Sequence, residues 1–84
     1  MKKINSMNKV IIYTTSSCIF CKKAKEFFKE NNIDYKEVDV GKDVKAAKEM
    51  IEKSGQMGVP VIEVNEKIII GFDKPSIMKE LKLN

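Results

Sequence analysis

Histidine and arginine are absent from this 84-residue chain, which holds only two cysteines, two prolines and four glycines. A zinc ion needs four ligands, and with no histidine and no cysteine beyond Cys18 and Cys21 the chain does not supply them. The lack of arginine, with lysines spread along the whole length, removes the clustered basic stripe of a nucleic-acid interface. The formal net charge of +4 therefore reads as a solubility charge that biases the surface toward anionic partners. Long apolar runs are missing too. Residues 1–8 are basic, but Val10-Ile11-Ile12-Tyr13 is too short for a signal-peptide core or a membrane span, and threonines and serines follow it. The cytoplasm is the expected compartment, with no membrane or nucleic-acid partner. In that reducing setting two close cysteines argue for catalysis or metal binding rather than a structural staple. With metal ligands lacking, a pair of inert buried cysteines is the remaining alternative, and a C-x-x-C after a strand in a β-α-β context favours redox chemistry over it.

The length predicts a single small domain over residues 1–84, with residues 1–8 as a loosely ordered extension. Lys9 to Thr14 is a short apolar run with β-branched and aromatic members, as in a buried strand. Thr15-Ser16-Ser17 has the composition of a turn and helix cap. From Ile19 to about Asn31, Phe20, Ala24, Phe27 and Phe28 fall at helical spacing opposite lysines and glutamates. Ile33 to Val40 alternates as a second strand, and Gly41-Lys42-Asp43 leads to a second helix, Val44 to Ser54. Asp43 is its candidate cap, Gly55 its stop, and Val44, Ala47, Met50 and Ile51 its expected apolar face. Val61–Val64 and Lys67–Ile70 flank Asn65-Glu66 as a hairpin, with a weaker turn signal than Asn-Gly. Ser76 to Leu83 closes the chain as a helix carrying Ile77, Met78 and Leu81. The order is β-α-β-α-β-β-α: an α/β fold with a four-stranded mixed sheet covered by three helices.

Both cysteines lie where the first strand gives way to the first helix. A thiolate is the attacking species in thiol–disulfide exchange, and a helix N-terminus favours it through unpaired N–H groups and the helix dipole. Cys18 holds that position, with Lys22 and Lys23 adding charge nearby. Cys21, one turn further in, is placed to attack a mixed disulfide formed on Cys18. Pro60 is the second chemical feature. On the residues alone it marks a strand start or edge. The alternative is a cis Val59-Pro60 bond that turns the Val59 backbone toward Cys18, a rare geometry even before proline.

Tyr13-Thr14-Thr15-Ser16-Ser17-Cys18-Ile19-Phe20-Cys21, then Gly55-Gln56-Met57-Gly58-Val59-Pro60, then Ile70-Gly71-Phe72-Asp73 resemble the glutaredoxins. The likeness covers the chain after residue 8. It is greatest to small bacterial glutaredoxin-like proteins, which lie between ordinary glutaredoxins and NrdH-type redoxins. The resemblance implies the thioredoxin fold, Cys18 as nucleophile, Cys21 as resolving cysteine and a cis proline at Val59-Pro60. It implies a substrate or glutathione groove formed by Thr15, Phe20, Gln56, Val59, Pro60, Gly71, Phe72 and Asp73. No bound cofactor or metal is implied. The expected partners are disulfide-containing proteins, with glutathione or thioredoxin reductase as electron donor, and the family default is a monomer. Several positions depart from the family pattern. Thr15 stands where many members carry a glutathione-binding lysine, and Met57 where a basic residue is common. Gly71-Phe72 matches the NrdH-type redoxins better than glutaredoxins, and Ile19-Phe20 matches neither. Asp73 is either a helix cap or a contact to the glutathione amino group, and Phe72 packs or covers the groove. A non-enzymatic module, holding a peptide or an iron–sulfur cluster beside Pro60, is the alternative reading of the same fold.

Overall fold

The computed structural model describes residues 9–82. The expected extension over residues 1–8, and Leu83 of the last helix, lie outside them. The elements are β1 (Val10–Thr14), α1 (Ile19–Glu30), β2 (Lys36–Asp39), α2 (Val44–Ser54), β3 (Val61–Val64), β4 (Lys67–Ile70) and α3 (Lys74–Leu81). The strands form one mixed sheet in the order β2-β1-β3-β4. β1 runs parallel to β2 and antiparallel to β3, and β4 is antiparallel to β3. This is the β-α-β-α-β-β-α sheet-and-helix arrangement expected from the sequence.

The inner strands are covered on both faces, which is why they read as continuous apolar runs rather than alternating ones. On one face, Val10, Ile12, Ile62, Val64 and Ile69 pack against Ala24, Phe27 and Phe28 of α1 and Ile77 and Leu81 of α3. On the other, Tyr13 and Val61 meet Met50 of α2, flanked by Ile11, Val38, Val59 and Ile68.

α2 is rotated from its expected orientation. Val44 is 72% exposed and Ile51 38%, and the buried residues are Ala46 and Met50. The cause is polar. Lys53 continues the Ala46–Met50 line at i+7 and reaches Glu63 of β3 at 2.9 Å and the Tyr13 hydroxyl at 3.2 Å. That anchor turns Val44 and Ile51 toward solvent.

β2 is shorter than the predicted Ile33–Val40 run. Asn32, with φ +55, donates its N–H to Lys29 O, and Ile33 N–H donates to Phe28 O at 2.8 Å. This pair of bonds is a Schellman closure of α1, with Ile33 and Phe28 in the same core. Ile33 thus belongs to a helix stop, and Tyr35 stacks on Phe28 with ring centres 5.3 Å apart. α3 begins at Lys74, ahead of the expected Ser76, because Asp73 caps it and Pro75 fits the first turn, where its missing N–H is not needed.

Candidate active site

β1 ends at Thr14, and the chain turns through Thr15–Ser17 before α1 starts at Ile19. The helix cap is Cys18 itself rather than one of the preceding hydroxyl residues. Its backbone is extended (φ −85°, ψ 113°), and its Sγ accepts the Cys21 N–H at 3.0 Å. A sulfur does here what a serine or aspartate oxygen does in most caps. Cys18 and Cys21 are joined as a disulfide with Cα atoms 5.2 Å apart. Cys21 is buried, while Cys18 is partly accessible.

The first turn of α1 holds no acidic residue. Ile19 and Phe20 beside Cys18 are 68% and 59% exposed, and the Lys23 ammonium lies 5.5 Å from the Phe20 ring centre.

The strand register brings the other two segments singled out in the sequence to this end of the sheet. Tyr13 pairs with Val61, so Pro60 comes beside Thr14 where the cysteine loop begins. Gly71 N–H donates to Pro60 O at 2.8 Å, which draws in Gly71-Phe72-Asp73. The Val59-Pro60 bond is cis. Pro60 stands directly before β3, as its strand-start reading has it, and its peptide bond takes the cis geometry that the resemblance implies. Gly71 has φ +81°, a conformation that suits glycine at this turn.

The remaining candidates are engaged within the fold. The Gln56 amide donates to Gly58 O at 3.0 Å and accepts from Gly58 N–H at 2.8 Å, bridging its own loop. Thr15 is half-buried, and its carbonyl accepts the Cys18 N–H at 3.3 Å. The Phe72 ring packs on Phe27 at 6.0 Å between centres, so it is part of the core margin. Asp73 accepts from Ser76 Oγ at 2.8 Å and from Ser76 N–H at 3.4 Å, which fills the capping role.

Two polar clusters near this end had no signal in the sequence. The buried Thr14 hydroxyl donates to Glu37 at 2.9 Å, and Lys25 Nζ bonds the same carboxylate oxygen at 2.8 Å. The Lys25 hydrogen bond, helped by Thr14 and by the charges of Lys25 and Lys29, holds the Glu37 carboxyl below its ordinary range against the opposing effect of burial. The second cluster is Lys53, Glu63 and Tyr13, in which the Glu63 hydrogen bond, seconded by Tyr13, raises the Lys53 ammonium above its usual value. The partners are far apart in the chain and look, in sequence, like ordinary solvated charges.

The glutaredoxin family profile matches residues 10–69, from the first residue of β1 to the penultimate one of β4. The chain belongs to the glutaredoxin family. A glutaredoxin-like 8.6 kDa protein from the rubredoxin operon of Clostridium pasteurianum is 48% identical over 68 residues, which cover 81% of this chain and 91% of that one. Glutaredoxin 3 of Escherichia coli is 31% identical over 67 residues, covering 80% and 81% of the two chains. Among solved structures, the thioredoxin-like protein BC3987 superposes with a TM-score of 0.80 at 28% identity, covering 84% of this chain and 97% of that one. Family membership and the C-x-x-C pair closed as a disulfide make this glutaredoxin-type chain a thiol–disulfide oxidoreductase. Among the described residues no helix is long and apolar enough to cross a membrane.

Proposed function

We propose that Cys18 is the attacking thiolate and Cys21 the resolving thiol in the two-electron reduction of protein disulfides. The observation that carries this is the cap: Cys18 Sγ accepts the Cys21 N–H at 3.0 Å, at the accessible start of α1, with Cys21 buried behind it. An N–H donor and a helix N-terminus both favour the anion over the neutral thiol. In the first step the Cys18 thiolate bonds one partner sulfur, the partner S–S bond breaks, and the second partner sulfur leaves as a thiolate and takes a proton. In the second, Cys21 loses its proton and attacks Cys18 Sγ. The Cys18–Cys21 disulfide forms and the remaining partner sulfur leaves and is protonated. Two electrons pass from the Cys18/Cys21 pair to the partner, whose two sulfurs take one proton released by Cys21 and one from solvent. The family setting supports a cytoplasmic, monomeric carrier with no bound metal or cofactor, in which the 1–84 chain acts as one domain.

The test is a pair of serine variants assayed on a small neutral disulfide and on a protein disulfide. Cys18→Ser loses reduction of both, while Cys21→Ser forms a partner adduct visible by intact mass and fails to release it. Wild-type turnover by Cys18→Ser would overturn the assignment.

For the electron donor, thioredoxin reductase is favoured over glutathione by the occupied side chains of the groove. Gln56 is bonded within its own loop, Asp73 caps α3, and Thr15 and Met57 carry no charge for a carboxylate. A coupled assay with NADPH separates the two: turnover is expected with thioredoxin reductase. Equal or faster turnover with glutathione and its reductase would reverse that choice.

A further inference from the structure

The surface around Cys18 combines exposed apolar groups with lysines that make no ion pair among the described residues. Ile19 and Phe20 are 68% and 59% exposed, and Met57, in the loop that ends at Val59-Pro60, is 75% exposed. Apolar side chains gathered at one functional end mark a surface that is covered in use. The charge is equally one-sided. The first turn of α1, Ile19-Phe20-Cys21, has no acid, although the helix dipole favours acids there, and Lys22 and Lys23 follow it directly. The ion pairs among the described residues are Lys25–Glu37 and Lys53–Glu63, so neither Lys22 nor Lys23 is matched. Lys23 instead lies over Phe20, which ties the charge and the apolar surface into one patch. A helix that gives up favourable end charges at its exposed first turn gains something there other than its own stability.

We propose that this patch docks a protein partner whose disulfide sits in an acidic segment with apolar residues next to the cysteine. The partner's apolar side chains cover Phe20, Ile19 and Met57, and its carboxylates meet Lys22 and Lys23. Charge complementarity selects this occupant. A basic segment is repelled by the lysines, and a polar one leaves the apolar groups wet. The proposal rests on the reading that Cys18 attacks the partner disulfide, and it specifies which disulfides arrive there.

The test uses three peptides, each with one cysteine in mixed disulfide with mercaptoethanol. The first has leucine and glutamates beside the cysteine, the second leucine and lysines, the third serines and glutamates. Hydroxyethyl disulfide serves as the neutral small substrate. At low salt the first peptide is expected to exceed the second by about tenfold in kcat/KM, within the range of electrostatic steering. That ratio shrinks at high salt as screening shortens the reach of the lysines. The first is also expected to exceed the third by several-fold, the scale of a partly buried side chain. Lys22→Gln with Lys23→Gln collapses the first ratio, and Phe20→Ser the second. Equal rates for all peptides, or a preference for the lysine peptide, overturn the proposal while reduction of hydroxyethyl disulfide leaves the Cys18 reading intact. No reduction of hydroxyethyl disulfide overturns both. Two further results overturn the docking surface by naming another occupant: oxidised glutathione as good a substrate as the first peptide, or a dimer of the free protein by light scattering that Phe20→Ser dissolves.

Discussion

At Cys18 one sulfur serves the helix and the chemistry together. Because Sγ accepts the Cys21 N–H, a serine there keeps a capping oxygen, so Cys18→Ser removes the nucleophile without removing the cap. Loss of activity in that variant therefore reports chemistry rather than folding. Glu37 offers a second test at this scale. Lys25 and Thr14 lower its folded pKa below the ordinary value of 4.5, so the ionised form is the one the fold favours. The stabilisation is fully present above the unfolded value and is lost as pH falls through the lower folded value. The pair is partly exposed, and its contribution is correspondingly small, about 0.5 kcal/mol. In urea unfolding, Glu37→Gln is expected to be less stable than the parent near pH 6, with the difference shrinking as the pH is lowered through the folded value.

Turn and cap residues set the elements apart, and two of them make separable predictions. Asn65 and Glu66 have φ values of +50° and +73°, a primed turn that matches the twist of β3 and β4. Asparagine tolerates this region and glutamate does not. Glu66→Gly is expected to stabilise the protein by about 1 kcal/mol, read as a rise in the thermal midpoint with activity unchanged. Asp73 caps α3 through the N–H and hydroxyl of Ser76, so Asp73→Ala is expected to cost about 1 kcal/mol. If capping is its whole role, the thermal midpoint falls and KM for a glutathione mixed disulfide stays where it was. A several-fold rise in KM would assign Asp73 to the groove as well. Gly55, at φ +75°, closes α2 in the conformation that glycine adopts most readily, and thereby delivers the chain into the loop before Pro60.

Across the molecule the two faces of the sheet are secured differently. α1 and α3 bury a large aromatic and aliphatic core, whereas α2 covers its face with Met50, Ala46 and the Lys53 link to Glu63 and Tyr13. Glu63 is buried on the central strand β3, where Lys53 is its ion-pair partner. Lys53→Met is expected to cost about 1–3 kcal/mol by leaving that carboxylate short of a partner. Adding Glu63→Leu should recover most of the loss, and chemical denaturation of the double-mutant cycle measures it. A strictly additive double mutant would show that the pair carries no coupling.

The sequence by itself determined the local grammar. Apolar runs at β1 and β3, helical spacing at Ala24, Phe27 and Phe28, the cap Asp43, Gly55 and the two-residue hairpin gave the element order, because each signal lies within one turn or one strand, whereas Phe20, expected on the same apolar face, is exposed. The cysteine spacing at a strand-to-helix junction gave the reaction class for the same reason. Only the tertiary structure decided which residues meet across long separations. The rotation of α2 by Lys53, the joining of Thr14, Glu37 and Lys25, and the use of Ile33 as a helix stop all depend on partners far apart in the chain or on competing local bonds. The cis form of Val59-Pro60 belongs here as well: residue chemistry leaves both forms open, and the assembled sheet holds one, with Pro60 O accepting from Gly71.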